Sequence, residues 1–256
     1  MKVYKYVPFS DGSLQILKSG TMKFTNAPEF NDPFDCVVQY DVESSLEAYM
    51  SRSEIVNQVA YELELTPDLV LEHREEIKNR MRSVLESGTV HDTVMEKVGI
   101  CSLSKTYNNI LMWSHYADHH KGFVVEFDVN LSNEKLVKEP EFYFGGNDVE
   151  YSHEMPVKVI GTTNFSDIYR QFLVKSEDWA YEQEYRVLST NKGAGIHEFD
   201  HTMISAVIFG AKMSIENMNK LKDEVSIFSH KFKHSVSIIK AKVAPDKYAL
   251  EFENIT

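Results

Sequence analysis

Trp179-Ala180-Tyr181-Glu182-Gln183-Glu184-Tyr185-Arg186 is the stretch on which the reading of this chain turns. In an extended chain alternate residues share a face. Read as the start of a strand over 182–189, the stretch projects Glu182, Glu184 and Arg186 together and turns Tyr181, Gln183 and Tyr185 to the other side. Two carboxylates within about 7 Å of one another repel, and a neighbouring guanidinium offsets that repulsion. Such a group can orient hydroxyls and stabilise a cation developing at a sugar carbon. The same alternation also fits an exposed sheet face laced by weak ion pairs.

Working outward, the chain reads as alternating short strands and helices. Val3–Val7 and Thr21–Thr25 are extended, with a helix over Ser13–Ser19 stopped by Gly20. Phe30-Asn31-Asp32-Pro33-Phe34-Asp35 is a turn of defined shape, since Asn and Asp cap turns and Pro fixes φ. From about 44 to 98 apolar residues recur at helical spacing, with Thr66 capping a helix that begins at Pro67. Gly99–Ser104 and Phe123–Asp128 read as strands flanking a helix over Ile110–His120, capped by Asn108-Asn109 and ended by Gly122. Beyond these, strands are predicted over 148–152, 157–160, 206–209 and 236–243, and helices over 166–175 and 216–223. The expectation is a single α+β domain over 1–256. Its core is a mixed, largely antiparallel sheet, with a helical insertion at about 44–98.

Composition narrows the function. At 43% hydrophobic, 12% aromatic and with few Gly and Pro, the chain can bury a core. No run of about 18 apolar residues offers a membrane span, and Met1–Tyr6 lacks the apolar stretch of a signal peptide. Two cysteines, Cys36 and Cys101, exclude a disulfide framework, and a cytoplasmic location is the expectation. A net charge of −12 argues against a broad, nonspecific grip on a phosphate backbone.

Three further segments could carry chemistry. In Leu111–His120, His115 and His119 are four apart and on one helix could ligate a metal, with Asp118 or Glu126 as a third ligand. Trp113 and Tyr116, three apart, serve packing or wall a pocket, and His115 alone could donate to a phosphate or ribose. In Cys101-Ser102-Leu103-Ser104 the two hydroxyls share a face and could hold a ribose or fix a carboxylate. Cys101 has no His partner in sequence that would make it a nucleophile. The Asn31-Asp32-Pro33 loop either carries function or closes a hairpin. No phosphate-binding Gly-x-x-x-x-Gly-Lys, dinucleotide Gly-x-Gly-x-x-Gly or Gly-x-Ser-x-Gly elbow is present.

Taken together, Tyr4-Lys5-Tyr6, Phe30–Asp35, Met112–Ala117, Lys121-Gly122-Phe123 with Glu126-Phe127, and Trp179 with Glu182, Glu184 and Arg186 resemble a widespread bacterial family of domains of unknown function, DUF family 2971. The resemblance runs over nearly the whole chain and is weakest in the helical stretch at 44–98. The order of parts also resembles the ADP-ribosyltransferase superfamily: the Tyr4–Tyr6 strand, Ser102-x-Ser104, then Glu182-x-Glu184. That likeness implies an enzyme transferring ADP-ribose from NAD to a macromolecule, protein or nucleic acid, as a bacterial toxin or phage-defence effector. A neutralising antitoxin or immunity protein would be its partner. It implies Glu184 on the nicotinamide ribose and its cation, Glu182 on the acceptor, and Ser102 supporting Glu184 or the ribose, with Ser104 beside it. Tyr4 or Tyr6 would contact NAD, Trp113 or Tyr116 would stack on nicotinamide, and Arg186 would give electrostatic support. The alternatives are a metal-dependent hydrolase or nuclease using His115 and His119, and a non-catalytic module recognising a partner through Trp113, Tyr116 and Trp179.

Overall fold

The computed structural model describes residues 1–130, 132, 134–161 and 169–255. They divide into two compact units: Met1–Asn26, Val98–Val149 and Asp178–Thr256 form one, and Ala27–Lys97 with Glu150–Glu177 the other.

The first unit is built on one long sheet. Its strands are β1 (Lys2–Val7), β4 (Gly99–Ser104), β5 (Phe123–Asp128), β6 (Asn147–Asp148), β10 (Glu184–Ser189), β12 (Ile204–Phe209), β13 (Ser237–Val243) and β14 (Leu250–Asn254), in the order β14-β13-β12-β5-β1-β4-β10-β6. Six of the seven pairings in this sheet are antiparallel, and only β12 and β13 run parallel, joined by helix α8 (Ile215–Phe232). The class is α+β with a mixed, mostly antiparallel sheet, as the sequence predicts. One face is apolar throughout: Val3, Leu103, Val125, Phe127, Val187 and Val207 pack with Leu17 of α1 (Asp11–Lys18) and Leu221, Val225 and Phe228 of α8. Burying these side chains stabilises the unit by roughly 1.5–3 kcal/mol each.

The other face is aromatic and polar, and helix α7 (Ile110–Tyr116) lies on it. Strand β1 pairs with β5 over its whole length but with β4 at a single position, Tyr4 opposite Ser104. The start of β4 turns instead to Thr25, just past β2 (Thr21–Phe24): Ile100 N donates to Thr25 O at 2.8 Å and Thr25 N to Ile100 O at 2.9 Å. A separate pair joins β2 to β11 (Gly195–Glu198).

The second unit holds the helices expected at about 44–98: α2 (Val42–Met50), α3 (Ser53–Glu62), α4 (Pro67–Glu72), α5 (Arg74–Glu86) and α6 (Thr89–Lys97). Thr66 caps α4 as read, its Oγ1 accepting from Leu69 N. In the 30–35 turn, Asp32 Oδ1 accepts from Phe34 N at 2.9 Å. Two parallel pairs complete this unit, β3 (Gln39–Tyr40) with β8 (Val157–Lys158) and β7 (Glu150–Ser152) with β9 (Val174–Ser176).

Several boundaries differ from expectation. The strand read over 148–152 is two, β6 and β7, in different sheets. Of the helix read over 166–175, residues 166–168 lie outside the described residues and Val174–Ser176 is strand β9. The last helix runs nine residues past its predicted end, because Val225 and Phe228 continue its buried stripe. Strand β14 was not anticipated.

Candidate functional site

The quoted stretch is not one strand. Glu177–Glu182 wind into a 3-10 turn, and Gln183 takes a left-handed φ of 45° before β10 begins at Glu184. The neighbouring strand end fixes this kink. Ser104 Oγ donates to Glu182 O at 2.6 Å, and Lys105 N donates to Gln183 O at 2.9 Å. Beyond the kink the alternation holds: Glu184 and Arg186 share a face, and the guanidinium donates through Nε to Oε1 at 2.8 Å and through Nη2 to Oε2 at 3.0 Å. Arg186 is 0% exposed and Glu184 5%.

Glu182 therefore enters from the turn rather than along the strand, a correction to the alternating reading. It is nonetheless only 3% exposed, and its Oε1 accepts the Tyr116 hydroxyl at 2.6 Å. The exposed, ion-paired sheet face is overturned: all three charged groups lie out of water. Buried charges demand partners, and each has one here.

Register assembles the rest. Tyr4 stands opposite Ser104, and Ser104 opposite Glu184, so the three sequence motifs meet in one row across β1, β4 and β10. One row along, Ser102 stands opposite Arg186, so the hydroxyl level with Glu184 is that of Ser104. On the other side of Tyr4 lies Glu126 of β5. Burial, then the Glu126 carboxylate it bonds, pushes the Tyr4 hydroxyl above the ordinary tyrosine range. Ser102 is half-buried, and its carbonyl accepts from Lys5 Nζ at 2.8 Å.

Helix α7 supplies the wall. Asn109 caps it, accepting from Leu111 N at 2.9 Å and Met112 N at 3.3 Å, while its amide donates to Tyr181 O at 3.2 Å. Trp113 is sealed from solvent with its indole N–H on Tyr107 O, and Tyr6 packs edge-on against it with its hydroxyl on Thr106 O. Tyr116 is half-buried. Burial first, then the Glu182 carboxylate, pushes its hydroxyl well above the usual range, so it stays a donor. His115 is exposed, its ring centroid 6.2 Å from that of Tyr116 and 6.4 Å from that of Tyr181.

The helix ends at Tyr116, four residues short of expectation. Asp118, His119 and His120 all take left-handed φ, and His120 N bonds back to Trp113 O at 3.1 Å. His115 and His119 therefore do not share a helix face, which removes the geometry of the metal-ligand reading. Among the described residues no cluster of three His, Cys, Asp or Glu stands where it could hold a metal. The Cys101 thiol is fully buried on the apolar face, and burial raises its pKa, away from nucleophilic use.

Sequence reasoning missed Tyr181 and Tyr107. Tyr181 was set on the opposite face, yet the 3-10 turn carries its ring to 6.0 Å from Trp179. Tyr107 lies 5.2 Å from Tyr4. Only the turn-forming pair Asn108-Asn109 beside Tyr107 hinted that the chain folds back there.

The model of a family of proteins of unknown function, DUF2971, matches residues 112–187. The family resemblance read from the sequence is supported over these residues. The matched segment opens in α7 and closes in β10, so its two ends are tied by the Tyr116–Glu182 hydrogen bond. The Tyr4–Tyr6 strand and the 30–35 turn lie outside it. No curated protein and no solved structure matches the chain. No helix among the described residues is long and apolar enough to cross a membrane.

Proposed function

We propose that the first unit is an NAD-dependent ADP-ribosyltransferase-like enzyme. The observation that carries this reading is the row Tyr4–Ser104–Glu184, in register on three neighbouring strands, with Glu182 beside it. A carboxylate held ionised by a guanidinium, next to hydroxyls and out of water, suits a cation developing at a ribose carbon. On this reading Glu184 steadies the nicotinamide ribose and its cation, and Arg186 holds Glu184 in place. Glu182 faces the acceptor, Ser104 fixes the turn that presents Glu182, and His115, Tyr116 and Tyr181 flank the approach. Transfer of ADP-ribose to a macromolecule fits a cytoplasmic toxin or phage-defence effector with a neutralising partner.

The test is incubation with NAD labelled on its adenylate phosphate, with and without bacterial lysate. Labelled macromolecules or released nicotinamide are expected; neither product from folded protein sinks the reading. Glu184→Gln should abolish both products while circular dichroism stays native below a lowered thermal midpoint, since Gln still offers Arg186 an acceptor but no countercharge.

A further inference from the structure

The two carboxylates of the site are held in different ways. Arg186 engages both oxygens of Glu184, at 2.8 and 3.0 Å, from the next position on the same face of the same strand. Glu182 instead lies ahead of the left-handed Gln183, in a turn, and its Oε1 takes a 2.6 Å hydrogen bond from a residue 66 positions away, at the C-terminal end of α7. That helix end is itself fixed. Asn109 ties the start of α7 to Tyr181 O, and the left-handed run Asp118–His120 folds back onto Trp113. Tyr116 is thus a rigidly mounted donor aimed at one carboxylate only.

We propose that Tyr116 is a positioning residue for Glu182, holding that carboxylate oriented toward the incoming acceptor. The proposal rests on the ADP-ribosyl transfer reading and sharpens its acceptor half. In that reaction the bond from the ribose C1′ to the nicotinamide nitrogen breaks, and its electron pair leaves with nicotinamide. An acceptor oxygen or nitrogen lone pair forms the new bond to C1′. The proton released by the acceptor passes to the Glu182 carboxylate. Tyr116 neither gains nor loses a proton; burial and the neighbouring carboxylates keep its hydroxyl protonated. Its donated hydrogen bond favours the charged form of Glu182 and fixes the plane of the carboxylate.

The roles separate experimentally because hydrolysis of NAD to free ADP-ribose needs Glu184 but not an oriented macromolecular acceptor. For Tyr116→Phe, label incorporated into lysate macromolecules should fall about tenfold relative to nicotinamide released in buffer, since one hydrogen bond to a charged group is lost. The acid limb of the transfer profile should move to higher pH. Glu182→Gln should give the same skewed ratio. A parallel fall of transfer and hydrolysis with a lowered thermal midpoint would mark Tyr116 as structural and overturn the proposal, as would an unchanged ratio. A wild-type protein inert toward NAD would instead sink the transferase reading itself, so the two failures are told apart.

Discussion

Among the described residues Arg186 is the largest charged side chain sealed from water, and Glu184 meets it there with two oxygens. Removing one member of such a pair strands the other charge in a low dielectric and costs about 3–5 kcal/mol, whereas replacing both by apolar residues often costs little. Arg186→Leu should therefore lower stability by that amount in urea unfolding. The double variant with Glu184→Leu should recover much of the loss, and no recovery would mean the pair is not energetically coupled. The tyrosines give a second expectation at this scale. Tyr4, Tyr6 and Tyr116 all have their hydroxyl pKa raised, by burial first in each case. A group whose folded pKa exceeds its unfolded value of about 10 keeps its full stabilising contribution below that pH and loses it as pH rises further. Stability should therefore decline steeply above about pH 10, and less steeply in Tyr116→Phe. Glu182→Gln should let Tyr116 ionise at lower pH, visible as tyrosinate absorbance against the Glu182→Gln/Tyr116→Phe control.

At the level of elements, the kink at Gln183 decides where the carboxylates point. A non-glycine residue there costs about 1–2 kcal/mol of backbone strain, and its φ of 45° suits Gly better. Gln183→Gly should hold or raise the thermal midpoint, and the β-branched Gln183→Val should lower it. Equal midpoints would mean the turn is not under that constraint. This kink also shows what was legible in the sequence and what was not. The period-2 pattern of Glu184, Arg186 and their apolar neighbours was readable, because both faces of β10 answer to local burial. The turn at 177–182 was not, because Lys105 N and Ser104 Oγ impose it from a strand nearly 80 residues away. Helix α7 tells the same story: Asn109 announced its start, but Asp118–His120 enter the left-handed region without a glycine to signal it, so the end was read four residues late. The shared helix face read for His115 and His119 was lost with it. Strand β14 alternates half-buried Leu250 and Phe252 with exposed Glu251 and Glu253, a legible pattern that the sequence reading left unassigned.

For the whole molecule, the sheet draws its strands from three separated stretches of chain. Its half beyond β5 rests on β12, β13 and β14, which pair with one another and, through β12 alone, with the rest. A chain ending at residue 233 would lose β13 and β14 and uncover Ile208 of the aromatic face, and would leave α8 without its return strand. Loss of a cooperative thermal transition is expected; an unaltered midpoint would mean the far half of the sheet contributes nothing. The net charge of −12 belongs to the whole chain and disfavours a broad, nonspecific grip on a phosphate backbone.

The pairing of Thr25 with Ile100 has its own consequence. The chain departs after Asn26 and comes back at Val98, and two mutual backbone hydrogen bonds hold the outgoing and incoming strands as neighbours. The ends of the intervening seventy-odd residues are thus tethered by the sheet, and lengthening that segment twofold would cost only about 0.6 kcal/mol of further closure entropy. The bridge works as a socket: it closes residues 27–97 at both ends, so a change in their length costs the strands that carry Ser104 and Glu184 little.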